Sequence, residues 1–119
     1  MAASIDERLK KLGIDLPQPS SPGANYVPFV RTGSLLFLTG QLSQWNGERR
    51  FDRASRCVRV SGFVNAVPEF LEHSQVVNGA SDLFVQVFGE AGRHTRMAIG
   101  VSGLPYGVAV EVEATFEVQ

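Results

Sequence analysis

Hydrophobic and polar positions alternate most regularly in the last thirty residues. Over 108–118, Val108, Val110, Val112, Ala114, Phe116 and Val118 fall on one face of an extended chain, with Glu111, Glu113 and Glu117 on the other. Over 93–101 the same period puts Met97, Ile99 and Val101 on one face and His94, Arg96 and Ala98 on the other. A short Gly/Pro-containing loop at 102–107 joins the two runs, so the pattern predicts a hairpin. One side of that hairpin would be core. The other would carry Arg, His and Glu close together, a place where a carboxylate and a proton could be handled.

Upstream, Ser4 and Glu7 form a capping box for a short helix that stops at Gly13, with Ile5, Leu9 and Leu12 on one face. A Pro/Ser-rich connector follows over 15–23. Strands are predicted at 26–31, where Pro28 cannot donate to a ladder, and at 35–41, where apolar residues on both faces predict burial on both. Asn46-Gly47 signals a turn. The next strand, 55–64, directs Val58, Val60 and Val64 one way. Cys57, Arg59, Ser61, Phe63 and Asn65 point the other way, a mixed face suited to a subunit interface. A helix is predicted over 68–88, with Val77, Ala80, Phe84 and Val87 at helical spacing, Val76, Leu83 and Phe88 widening the stripe, and Gly89 as its cap. The sum is a single α+β domain, a mixed sheet packed on helix, with 1–22 as an N-terminal helix and connector.

Composition narrows the function classes. At 119 residues one modest core is affordable. The formal net charge of −1 and scattered basic residues argue against RNA as a main partner. A single cysteine rules out an internal disulfide and fits a reducing compartment. No run reaches the roughly 18 apolar residues of a membrane span, and no secretory signal is visible, so a cytoplasmic protein is expected. Two His and one Cys make no metal-ligand spacing.

Three ordered motifs carry a family resemblance. The C-terminal one is Arg96-x-x-x-Gly100-Val101-x-x-Leu104-Pro105-x-x-Val108-x-Val110-Glu111-Val112-Glu113-Ala114. The N-terminal one runs Asn25-Tyr26-Val27-Pro28-Phe29-Val30-Arg31-Thr32-Gly33, then Leu35-Leu36-Phe37-Leu38-Thr39-Gly40-Gln41-Leu42. The central one is Val60-x-Gly62-Phe63-Val64-Asn65, with Val77-Asn78-Gly79-Ala80 on the helix after it. Together they resemble the RidA (YjgF) family, in a branch with a longer, Leu-Pro-containing N-terminus. The resemblance implies a chorismate-mutase-like fold, a homotrimer around a central barrel, and sites in the clefts between subunits. It also implies a helical crossover between Phe51 and Asp52 that this sequence lacks, roughly 35 residues long. The apolar strand at 35–38 calls for such a cover, so a second helix there is expected in the expressed protein.

RidA-like enzymes hydrolyse reactive enamines and imines to 2-keto acids and ammonia, without cofactor or metal. By resemblance, Arg96 binds the substrate carboxylate, Glu111 activates water and Tyr26 orients substrate. Thr39 and Gly40 line the pocket floor, and Ala98 stands at a position where the family varies. His94 and Glu113 share the predicted polar face and are further candidates. Read from the residues alone, Arg96 is first a partner for a cross-strand ion pair with Glu111 or Glu113, and the resemblance turns the reading to carboxylate binding. A non-catalytic carboxylate binder is the competing function. Relatives also carry translation-inhibitor and endoribonuclease labels.

Overall fold

The structure, a computed structural model, describes residues 4–15, 24–42 and 54–119. Most of the Pro/Ser-rich connector, the Asn46-Gly47 turn and the junction of Phe51 with Asp52 lie outside the described residues. Helix α1 (Ile5–Lys11) begins as expected. Ser4 Oγ accepts from the Glu7 amide (3.2 Å), and the Glu7 carboxylate accepts from the Ser4 amide (2.8 Å). Strands β1 (Phe29–Thr32), β2 (Leu35–Leu38), β3 (Gln41–Leu42) and β4 (Ala54–Asn65) follow. Helix α2 (His73–Phe88), β5 (Thr95–Val101) and β6 (Val110–Val118) complete the chain. α2 starts at His73, five residues later than the periodicity predicts. The Val67 carbonyl instead accepts from the Phe70 amide in a turn. Gly89 caps the helix at φ 68°, in the left-handed region that a side chain disfavours.

The sheet order is β1-β2-β6-β4-β5, with β3 pairing β6 beyond β2. β4 and β5 run parallel, with α2 as the crossover that parallel strands require. The predicted hairpin is therefore absent: β6 lies on the far side of β4 from β5, antiparallel to β4. The end of β4 fastens the intervening loop. The Asn65 amide donates to Ala109 O (2.8 Å) and Asn65 Nδ2 to Val108 O (3.2 Å), while the Ala66 amide donates to Val101 O (3.1 Å).

Register assigns the faces. Val60 lies between Arg96 and Ala114, Gly62 between Ala98 and Val112, and Val64 between Gly100 and Val110. This row faces α2. A Cβ on Gly62 would meet both methyls of Val77, and one on Gly100 would meet the His73 ring. Ser61 lies between Met97 and Glu113, and Phe63 between Ile99 and Glu111, on the opposite face.

Two bulges in β4 revise the predicted pattern. Cys57 pairs with Phe116 and Arg59 with Thr115, so Val58 is an extra residue that reverses the alternation. A second extra residue, Ser55, separates Ala54 and Arg56. Cys57 consequently does not join the mixed face with Arg59, Ser61 and Phe63. It is fully buried beneath α2 with Val60, Ala114, Phe116 and Val118, against Phe84 and Phe88. Burial pushes its thiol up from 9.0 to about 11, against a smaller opposing pull from the Arg56 charge.

Expected burial of both faces of 35–41 is also corrected. Leu36 and Leu38 pack on the core, whereas Leu35 and Phe37 point to the open face. β1 is exposed along its whole length. No helix among the described residues is long and apolar enough to cross a membrane.

Candidate functional site

The sheet separates the predicted site residues into two groups. Arg96, Ala98 and His94 lie toward α2, whereas Glu111, Glu113 and Gly40 belong to the opposite face. The expected cross-strand neighbourhood of Arg96 with Glu111 or Glu113 is absent, because β4 intervenes and the faces differ.

On the α2 side, Arg96 is half-buried on an edge strand. Its Nη1 donates to Asn78 Oδ1 (2.7 Å) and to Ser81 Oγ (3.2 Å), and its Nη2 donates to Ser74 O (3.3 Å). All three acceptors are uncharged, so the positive charge has no counterion among the described residues. Nε and the second Nη2 proton carry no partner there. Nε and Nη2 flank one edge of the guanidinium, the fork that can take a carboxylate bidentately. Ala98 lies two residues along on the same face, where only a methyl occupies the strand beside Arg96. Ser74, Asn78 and Ser81 recur at helical spacing beside the apolar stripe of α2. That polar stripe was visible in the sequence, but its relevance depended on knowing that β5 lies beneath it.

His94 continues the same cluster. Its Nε2 is 2.8 Å from Ser81 Oγ and its Nδ1 is 2.6 Å from Gly92 O, with the ring edge-on to Phe84.

The other group is built around an interruption of the second strand. Phe37 lies opposite Thr115 and Gln41 opposite Val112. Three residues on one strand therefore span two on β6, and Thr39-Gly40 forms a bulge. The bulge brings the Gly40 backbone against Glu111: a Cβ there would sit 2.9 Å from the carboxyl carbon and from Oε2. A side chain at position 40 would displace the Glu111 carboxylate from this place. The Thr39 amide donates to Pro28 O (3.0 Å), and Thr39 O accepts from Gln41 Nε2 (2.9 Å). Thr39, Gly40 and Glu111 are thus held together. Tyr26 is half-exposed in the turn before β1. Glu113 lines a shallow, open depression of about 110 Å³ with Phe37, Arg59, Ser61 and Thr115. Among the described residues, no group of three or more His, Cys, Asp or Glu could hold a metal ion.

Comparison with known proteins places these residues in a wider context. Residues 39–113 match the family described as "YjgF/chorismate_mutase-like, putative endoribonuclease". Protein TCP17 of Trypanosoma cruzi is 38% identical over 95% of this chain and 93% of its own length. That match runs over 149 aligned positions, whereas 95% of 119 residues is about 113, which leaves about 36 positions filled in the relative alone. Among solved structures, protein Atu1372 of Agrobacterium tumefaciens, of unknown function, superposes with a TM-score of 0.83 at 34% identity, covering 97% of this chain and 93% of that one. RidA of an Antarctic Psychrobacter shares the fold, with a TM-score of 0.61 at 18% identity, covering 87% of this chain and 99% of that one.

Proposed function

Because the chain belongs to the YjgF/chorismate mutase-like family, we propose that it hydrolyses reactive enamines and imines of small amino acids to 2-keto acids and ammonia. The observation that carries this reading is Arg96: half-buried, held from behind by neutral oxygens, with Nε unpartnered and no counterion among the described residues. A pre-oriented cation of this kind suits a substrate carboxylate, which would supply the missing charge. An imine carbon is already electrophilic, so the remaining need is a base that aims water at it. Glu111, whose carboxylate lies beside the Gly40 backbone, is that base.

Arg96 and Glu111 lie on opposite faces of one sheet, so a site containing both draws on two copies of the chain. Arg96 and Ala98 come from one copy. Glu111, Thr39, Gly40 and Tyr26 come from the next. The homotrimer expected from the family supplies this arrangement.

The test is ammonia release from amino-acid-derived imines, with semicarbazide as competing trap and a 2-keto acid as binding probe. Arg96→Ala is expected to lose carboxylate binding by roughly 10–150-fold, the worth of a charge-assisted anchor. Glu111→Gln is expected to keep binding and lose turnover. Co-assembling the two variants should restore part of the activity, since mixed oligomers contain sites with both native residues. An Arg96→Ala protein that binds as tightly as wild type would show that the arginine is structural.

A further inference from the structure

We infer that Ser81 and His94 are positioning residues for Arg96, forming a directed hydrogen-bond chain that holds the guanidinium ready for a carboxylate. This rests on the reading of Arg96 as the carboxylate anchor.

The direction of the chain follows from its ends. A carbonyl oxygen only accepts, so the 2.6 Å contact with Gly92 O places the proton on His94 Nδ1. In the neutral ring Nε2 is then an acceptor, and its 2.8 Å neighbour, the Ser81 hydroxyl, must donate to it. With its proton so committed, Ser81 Oγ turns lone pairs toward β5, where Arg96 Nη1 donates at 3.2 Å. The edge-on contact with Phe84 and the core beneath fix the ring plane. Asn78 takes the other Nη1 proton from one turn earlier on α2. Both Nη1 protons are thereby occupied on the helix side, which leaves the Nε/Nη2 edge for the ligand. Without the imidazole, the Ser81 hydroxyl loses the acceptor that fixes its rotor, and its lone pairs are no longer held in one orientation toward the arginine.

The experiment measures affinity for 2-oxobutanoate by calorimetry, and KM and kcat by ammonia release, with a thermal midpoint for every variant. Ser81→Ala is expected to weaken binding about three- to tenfold, the range of a lost hydrogen bond. It should raise KM with kcat nearly unchanged, because the anchor holds ground state and transition state alike. Ser81→Thr, which keeps the hydroxyl, should restore binding. His94→Phe keeps a ring beside Phe84 but removes the acceptor that orients Ser81, and should weaken binding in the same direction as Ser81→Ala, by no more than that loss. The double variant Ser81→Ala/His94→Phe should be no worse than the larger single loss, since both break one chain. A folded Ser81→Ala protein with wild-type affinity, alongside Arg96→Ala that has lost it, would overturn the positioning role and leave the anchor intact. Additive losses in the double variant would also overturn the chain. Wild-type affinity in Arg96→Ala would remove the anchor and this inference with it.

Discussion

At Gly62 the β4 backbone packs directly against Val77 of the crossover helix, and Gly62→Ala tests how that contact supports the site. The added Cβ would lie 2.5 and 2.6 Å from the two methyls of Val77, which is 1% exposed. Carbon atoms in good contact sit roughly 3.5–4.0 Å apart, so about 1 Å must be found. A helical valine has one strongly preferred χ1 rotamer and cannot swing aside cheaply. α2 must therefore lift from β4. Overpacking of this kind costs about 1–3 kcal/mol, a fall in thermal midpoint of roughly 5–15 °C for a domain of this size. The lower flexibility of Ala in the unfolded chain returns only about 0.4–1 kcal/mol. Thermal and urea unfolding of Gly62→Ala, Val77→Ala and the double variant form the assay. Val77→Ala alone should cost about 2 kcal/mol. In the double variant the new methyl occupies the vacated space, so the loss should fall short of the sum by at least about 1 kcal/mol. Because Ser74, Asn78 and Ser81 ride on α2, Gly62→Ala should also weaken 2-keto acid binding, and the double variant should recover part of it. An unchanged midpoint for Gly62→Ala, or strict additivity, would refute the argument.

Cys57 supplies a pH test. Its folded-state value of about 11 lies above its ordinary 9.0, so the folded chain retains a proton that the unfolded chain gives up. The associated stability is fully present below pH about 9 and lost as pH rises toward about 11. Urea midpoints should decline over that window, and Cys57→Ala should abolish this component. Assembly is tested by sedimentation: the open face carries Phe37 (44% exposed), Met97 (42%) and Ile99 (39%), and a homotrimer is expected that Met97→Glu with Ile99→Glu dissociates. A wild-type monomer well above assay concentration would sink it. For the helical crossover expected between Phe51 and Asp52, intact mass should exceed 12.9 kDa by about 3–4 kDa, one crossover unit, whereas 12.9 kDa would establish a true deletion.

Local chemistry was legible without coordinates wherever it acts over a few residues. The Ser4/Glu7 box and the Gly89 cap are fixed by hydrogen bonds and backbone sterics within one turn. The inward set of β6 follows from its period of two, since no bulge interrupts Val110–Val118. The stripe of Val77, Phe84 and Val87 followed from the helical period in the same way. The family motifs likewise named Arg96, Glu111 and Gly40 as a set, because a motif records residue identity rather than position in space.

What periodicity could not contain was which strand lies beside which. Two alternating runs joined by a short loop look like a hairpin whether or not a third strand slips between them. Here β4 pairs on both sides, parallel to β5 and antiparallel to β6. That single fact puts Arg96 against α2 and Glu111 on the opposite face. Nor could alternation foresee the bulges at Val58 and Thr39-Gly40. One extra residue reverses every side chain beyond it, sending Cys57 into the core and bringing Gly40 against Glu111. Ser81 and His94 were visible as residues, but became partners of Arg96 only when α2 folded back over β5. Tertiary structure decided the candidate site because hydrogen bonds across 13 to 22 residues of sequence depend on packing that no local pattern encodes.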